Sequence, residues 1–126
     1  MDRNARSAIG LAAFIGAAGV THFASPKFYD AIVPDWMPGP ARTTTYVSGA
    51  AELSCAALVA HPRTRKVGAL LCLLTFIGVY PANIQTALSG GVKDAAPPLD
   101  SAAAAWIRLP LQFPLFVWAW RVFTRA

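Results

Sequence analysis

The sequence predicts an all-α protein: a four-helix transmembrane bundle with a proline-rich outer loop after the first helix. Three observations carry that reading. The 126-residue chain is 56% hydrophobic and 13% charged, well above the apolar fraction of an ordinary soluble domain. Its charged residues fall in short clusters, and between them run four apolar stretches, each long enough as a helix to cross a hydrocarbon core roughly 30 Å thick. Tyr29, Trp36, Tyr46, Trp106, Trp118 and Trp120 stand near the ends of these stretches, where amphipathic rings settle at a membrane interface. Residues 1–126 read as one domain, with no internal repeat.

The first span runs from Ser7 to Phe23. Arg3 and Arg6 ahead of the apolar run Ala8 to Val20 imitate a secretory leader, but the run ends in Thr21, His22 and Phe23 instead of small residues. Three further spans follow it, so it is read as a span and not as a cleaved leader. The connection Ala24 to Arg42 holds Pro26, Pro34, Pro38 and Pro40, which exclude a continuous helix. Within it Phe28, Tyr29, Ile32 and Val33 have the spacing of a short amphipathic element lying over the outer end of the bundle. Span two, Thr43 to Ala60, and span three, Val67 to Leu88, are joined by the basic turn His61 to Lys66 and form an antiparallel hairpin. Gly90, Gly91, Pro97 and Pro98 mark Ser89 to Asp100 as a flexible connection, and span four runs from Ser101 to Phe123.

Charge sets the orientation. With the N-terminus inside, the cytoplasmic segments collect Arg3, Arg6, Arg63, Arg65, Lys66, Arg121 and Arg125, against Lys27, Arg42 and Lys93 in the outer loops. Both termini are therefore expected in the cytoplasm. The net charge of +5 follows from this topology. It forms no basic stripe of the kind nucleic acid requires, so no nucleic-acid partner is expected; the bilayer is the expected partner.

The buried polar residues are the informative ones. Counting inward at about 1.5 Å per residue, His22 ends span one, Glu52 lies near mid-depth in span two, Asn83 lies in the outer part of span three, and Arg108 and Gln112 lie two and three turns down span four. Helical spacing puts Thr45, Ser48, Glu52 and Cys55 on one face, Phe76, Tyr80 and Asn83 on another, and Arg108 with Gln112 on a third. Lipid cannot solvate these stripes, and a charge at the membrane centre costs at least about 2.5–3.5 kcal/mol. They are expected to turn inward and meet, with Glu52 and Arg108 paired and Asn83 and Gln112 completing the network. Such a cluster either fixes helix order, its amides bonding carbonyls that Pro81, Pro110 and Pro114 leave free, or binds a polar head group or moves a proton, with Glu52 as the candidate proton group. His22 has no second histidine at its depth, so no metal site is expected. Cys55 and Cys72 fall at one depth on facing helices, but without a C-x-x-C pair they read as small apolar residues. Gly16, Gly19, Ser48 and Gly49 are read as sites of close helix approach.

Thr21-His22-Phe23 with Pro26, Ile32-Val33-Pro34, Pro38-Gly39-Pro40, Ser48-Gly49-Ala50-Ala51-Glu52, Tyr80-Pro81-Ala82-Asn83-Ile84 and Arg108-Leu109-Pro110-Leu111-Gln112 together resemble the DoxX-like integral membrane proteins. The resemblance implies a four-helix bundle of the bacterial cytoplasmic membrane and an association with redox chemistry, since some relatives are linked to thiosulfate oxidation with quinone as acceptor and others to thiol redox balance. By position it selects His22, Glu52, Asn83, Arg108 and Gln112 as the ligand-binding set. Three functions compete. The first is binding of a quinone-like or other small amphiphile, with electrons supplied through a redox partner protein because no cofactor motif or covalently held cofactor is expected. The second is a non-enzymatic membrane subunit or anchor with a purely structural cluster. The third, a small-molecule carrier, ranks last because no charged residue continues a path through the inner half. A homo-oligomer is compatible with each.

Overall fold

A computed structural model describes residues 2–92, 95 and 97–126; the expected outer-loop charges Lys93 and Asp94 lie outside them. The chain is all-helical: α1 (Arg3–Ala24), α2 (Pro26–Asp30), α3 (Ala41–Ala60), α4 (Arg65–Leu88) and α5 (Ala102–Arg125), with no strand among the described residues. The starts of α1 and α5 follow local chemistry. Asp2 caps α1 by accepting from the Ala5 N–H at 2.7 Å, and Ser101 caps α5 by accepting from the Ala104 N–H at 3.1 Å, each satisfying a backbone donor that the first turn leaves free. The turn between α3 and α4 is tied by Arg65, whose Nε and Nη2 donate to the carbonyls of Val59 and Ala60 at the end of α3.

α1, α4 and α5 are long and apolar enough to cross a membrane. Sequence reading credited all four long stretches with that property. α3 differs because Thr43, Thr44, Thr45, Ser48, Glu52 and Ser54 dilute its apolar residues. Large apolar side chains nevertheless face outward on α3 as on the others, Val47 being 64% exposed beside Val67 at 60% and Ile107 at 58%. That outward surface is too extensive for water to be its natural solvent.

α1 packs chiefly on α3, α4 on α5 and α3 on α4, whereas α1 and α5 touch only slightly. One apolar core joins Ala8, Leu11 and Ile15 to Val59, Ala69, Cys72, Ala119 and Val122. Cys55 and Cys72 are both buried in it as free thiols. Pro81, Pro110 and Pro114 sit inside α4 and α5 without ending them. Past the end of α4, Val92 is buried and the Gly91 N–H donates to the Thr86 carbonyl, so this stretch of the connection expected to be flexible is packed down.

Candidate functional site

Two glycines bring the first pair of site residues together. A Cβ built on Gly49 would lie 2.7 Å from His22 Cβ and 2.8 Å from Phe23, and one built on Gly19 would lie 2.9 Å from Leu53. Only glycine lets α1 and α3 approach this closely. His22 and Glu52 each follow one of these glycines by three residues, which puts them on the same helical faces, and both are buried.

His22 Nδ1 lies 2.7 Å from the Ala18 carbonyl. A carbonyl oxygen only accepts, so Nδ1 carries the proton. The same nitrogen stands 3.7 Å from Glu52 Oε2, which is within charge–charge reach but too long for a hydrogen bond. Glu52 Oε2 is accordingly the one buried side-chain polar atom without a hydrogen-bond partner among the described residues. The imidazole is held on its other side by Tyr29, stacked with centroids 3.7 Å apart, and the Tyr29 hydroxyl is hydrogen-bonded to that of Thr21.

The expected Glu52–Arg108 pair does not form. Among the described residues Glu52 approaches His22, at 3.7 Å, and the ion pair that does form is Arg42–Asp30. The reason is helix order: α3 is drawn onto α1 by Gly19 and Gly49, α5 packs on α4, and α3 and α5 share no extensive contact. Arg108 instead lies over the Phe28 ring, 5.7 Å from its centroid, a cation–π contact. Asn83 and Gln112 do meet, Nδ2 donating to Oε1 at 2.7 Å. They bond each other, not the carbonyls that prolines release. The Tyr80 hydroxyl donates to the Leu109 carbonyl at 3.2 Å. Whichever way the two amides are turned, one carbonyl oxygen and one NH2 group remain unused by the pair.

All five residues selected from sequence, His22, Glu52, Asn83, Arg108 and Gln112, line one cavity of about 300 Å³. Its remaining wall is mostly apolar: Phe76 and Val79 from α4, Leu115 from α5, and Ile32, Val33, Pro34 and Met37 from the segment after α2. That segment, with α2, forms a lid fastened at several points. Asp30 accepts from Thr45 at 2.6 Å and from Arg42 at 2.8 Å, and Trp36 Nε1 donates to Gln85 at 3.0 Å. Burial opposes ionisation of Asp30, but the hydrogen bonds from Thr45 and Arg42 and the Arg42 charge outweigh it and hold the carboxyl below its ordinary range.

Sequence reasoning placed Tyr29 and Trp36 at the interface and missed that Tyr29 stacks on His22 and that Asp30 anchors the lid. The available signal was the opposite charges of Asp30 and Arg42 bracketing the proline-rich segment. No three His, Cys, Asp or Glu side chains gather as metal ligands among the described residues. The arrangement offers an unpartnered carboxyl oxygen on one wall, a guanidinium and an unused amide on the other, and apolar surface between them. A small molecule with an apolar body and oxygen-bearing edges has that pattern.

The chain belongs to the family described as a domain of unknown function, DUF8561, whose model matches residues 11–123 and so takes in all five residues of the cavity. No curated protein and no solved structure matches the chain.

Proposed function

Taking the cavity as the working centre of this DUF8561 member, we propose that the protein binds a quinone-like or similar small amphiphile in the outer half of a four-helix membrane bundle. The observation that carries the proposal is the buried, unpartnered Glu52 oxygen in a cavity that Arg108, Asn83 and Gln112 also line. An orphaned buried acceptor costs about 1–3 kcal/mol, a cost that a donor on a ligand removes. In this reading α3 crosses the membrane with the other three long helices, its polar face turned to the cavity. Both termini lie in the cytoplasm of a bacterial cell, as the arginine distribution favours.

The residues divide the chemistry between them. Arg108 and the unused amide of the Asn83–Gln112 pair donate to a ligand oxygen, while Glu52 accepts from a ligand hydroxyl and serves as the proton group. His22, its Nδ1 proton held by the Ala18 carbonyl, packs beside Glu52 with the same nitrogen 3.7 Å from Oε2. A cavity of about 300 Å³ is at the small end of ligand sites, so it takes a head group and leaves any long tail among the helices or in lipid. The resemblance to DoxX-like proteins supplies the redox association; a partner protein supplies or removes electrons.

A second reading, a subunit or anchor with a structural cluster, draws support from the Asn83–Gln112 bond, which joins α4 to α5 with no ligand's help. Titration with a short-chain, water-soluble quinone separates the two. Saturable binding by the wild type, weakened about tenfold or more in Glu52→Gln and in Arg108→Gln, supports the ligand site. No saturable binding, or equal binding by all three folded proteins, leaves the anchor.

A further inference from the structure

At the other end of the molecule a second and larger cavity, about 810 Å³, lies between α1 and α5, the long helices that touch only slightly. Its lining changes character along α5. Phe113, Pro114 and Val117 form one end and Arg121 and Arg125 the other, a run of about 18 Å at 1.5 Å per residue. Arg3 and Arg65 add guanidinium groups from α1 and α4. Two of the Arg65 nitrogens are committed to the carbonyls of Val59 and Ala60. Arg3, Arg121 and Arg125 are exposed and form no ion pair among the described residues. The acidic side chain at the rim, Asp2, is engaged in capping α1. Trp118 Nε1 donates to Ser7 at 3.0 Å and braces the two helices across the floor.

We propose that this groove is a binding site for an anionic phospholipid. The arginines hold the phosphate at the membrane surface, and an acyl chain runs along α5 over Val117 and Phe113, which are 49% and 55% exposed. Two features select a lipid over a free anion. The basic groups sit at the end of the helices, at head-group level, and the apolar wall continues from them toward mid-membrane, an order of polarity that matches one leaflet of a bilayer and that inorganic phosphate has no use for. Basic pockets between membrane helices on the cytoplasmic side recognise anionic head groups in this way. The site shares no residue with the lid-end cavity. It rests on the chain lying in a membrane but not on the ligand proposed for the other site.

Native mass spectrometry of the intact protein with equimolar phosphatidylglycerol and phosphatidylcholine tests this. The wild type is expected to retain phosphatidylglycerol preferentially, with the preference falling about fivefold for each guanidinium removed in Arg121→Gln, Arg125→Gln and their combination with Arg3→Gln. Lys27→Gln, an exposed charge removed at the opposite end, is expected to leave the preference unchanged. These arginines are exposed, so the variants are expected to keep their helical circular dichroism, and any single variant that loses it is replaced in the comparison by the other. Equal retention of both lipids, an unchanged preference in the folded variants, or displacement of the lipid by inorganic phosphate would overturn the proposal. Monodisperse behaviour without detergent would instead remove the membrane premise.

Discussion

The two halves of this molecule are built from the same helices and bury opposite chemistry. Toward the chain termini the interior is Ala8, Leu11, Ile15, Val59, Ala69, Cys72, Ala119 and Val122 in one continuous cluster. Toward the lid the buried side chains include His22, Thr45, Glu52, Asn83, Thr86 and Gln112, and packing gives way to a cavity. In lipid there is little hydrophobic drive for helices to associate, so the first half is held by close van der Waals packing and the second by glycine contacts and hydrogen bonds. The difference teaches that the polar side chains do not themselves set the helix arrangement, and that the polar cluster is placed by its surroundings. It is tolerated because the apolar half and the Gly19–Gly49 contact fix the helices around it.

That contrast can be broken most forcefully at the glycine contact. Gly49→Leu forces a side chain into His22 and Phe23 and is expected to cost about 3 kcal/mol or more, with loss of ligand retention, read by denaturant unfolding in detergent. Gly78, which lines the cavity but whose added Cβ would meet nothing within 4 Å, is the control. Gly78→Ala is expected to be neutral or to stabilise by up to about 1 kcal/mol through helix propensity. In the apolar half, Ile15→Ala leaves a cavity at a fully buried position and is expected to cost about 2 kcal/mol in the same assay without changing ligand retention. A loss of retention at unchanged stability would show that the two halves are not separable.

Smaller effects sharpen the comparison within the polar half. A double-mutant cycle of Asn83→Ala and Gln112→Ala is expected to give a coupling of about 0.6 kcal/mol, and no more than about 1.7, as for other hydrogen bonds between membrane helices. At the lid, the Asp30 carboxyl is held below its ordinary range, so its contribution to docking is fully present above the unfolded value of about 3.9 and is lost as pH falls through the lower folded value. Hydrogen exchange of residues 26–37 is therefore expected to rise only at acid pH in the wild type. In Asp30→Asn it is expected to be raised already at neutral pH; unchanged exchange in that variant would show that the lid is held without this carboxylate.

The long helices were legible because hydropathy and helical period are local properties: Ser101 and the basic turn His61 to Lys66 mark boundaries within a residue or two, while α1 begins at Arg3, four residues before the expected Ser7. The membership of the cavity was legible for a related reason. A buried polar side chain on a helix must face a polar region, so Glu52, Asn83, Arg108 and Gln112 could be assigned to a common interior from depth and face alone, whereas His22 joined them only by its position in the family resemblance. Partner choice was not legible. Whether Glu52 meets Arg108 or His22 depends on which helices touch, and that is set by how closely Gly19 and Gly49 let α1 and α3 approach, a tertiary quantity that spacing does not encode. The lid was missed for the same reason, since Asp30, Thr45 and Arg42 join only once α2 has folded back over α3.

The central claim is that the lid-end cavity holds a ligand through Glu52. Its most direct test is mass spectrometry of the quinones and lipids that co-purify with the wild type and with Glu52→Gln, each shown to be folded and monodisperse. The account predicts a defined amphiphile retained by the wild type and lost from the variant, while phospholipid carried by both stays the same. Identical, unselective lipid in the two folded proteins would contradict it and leave Glu52 as a structural residue.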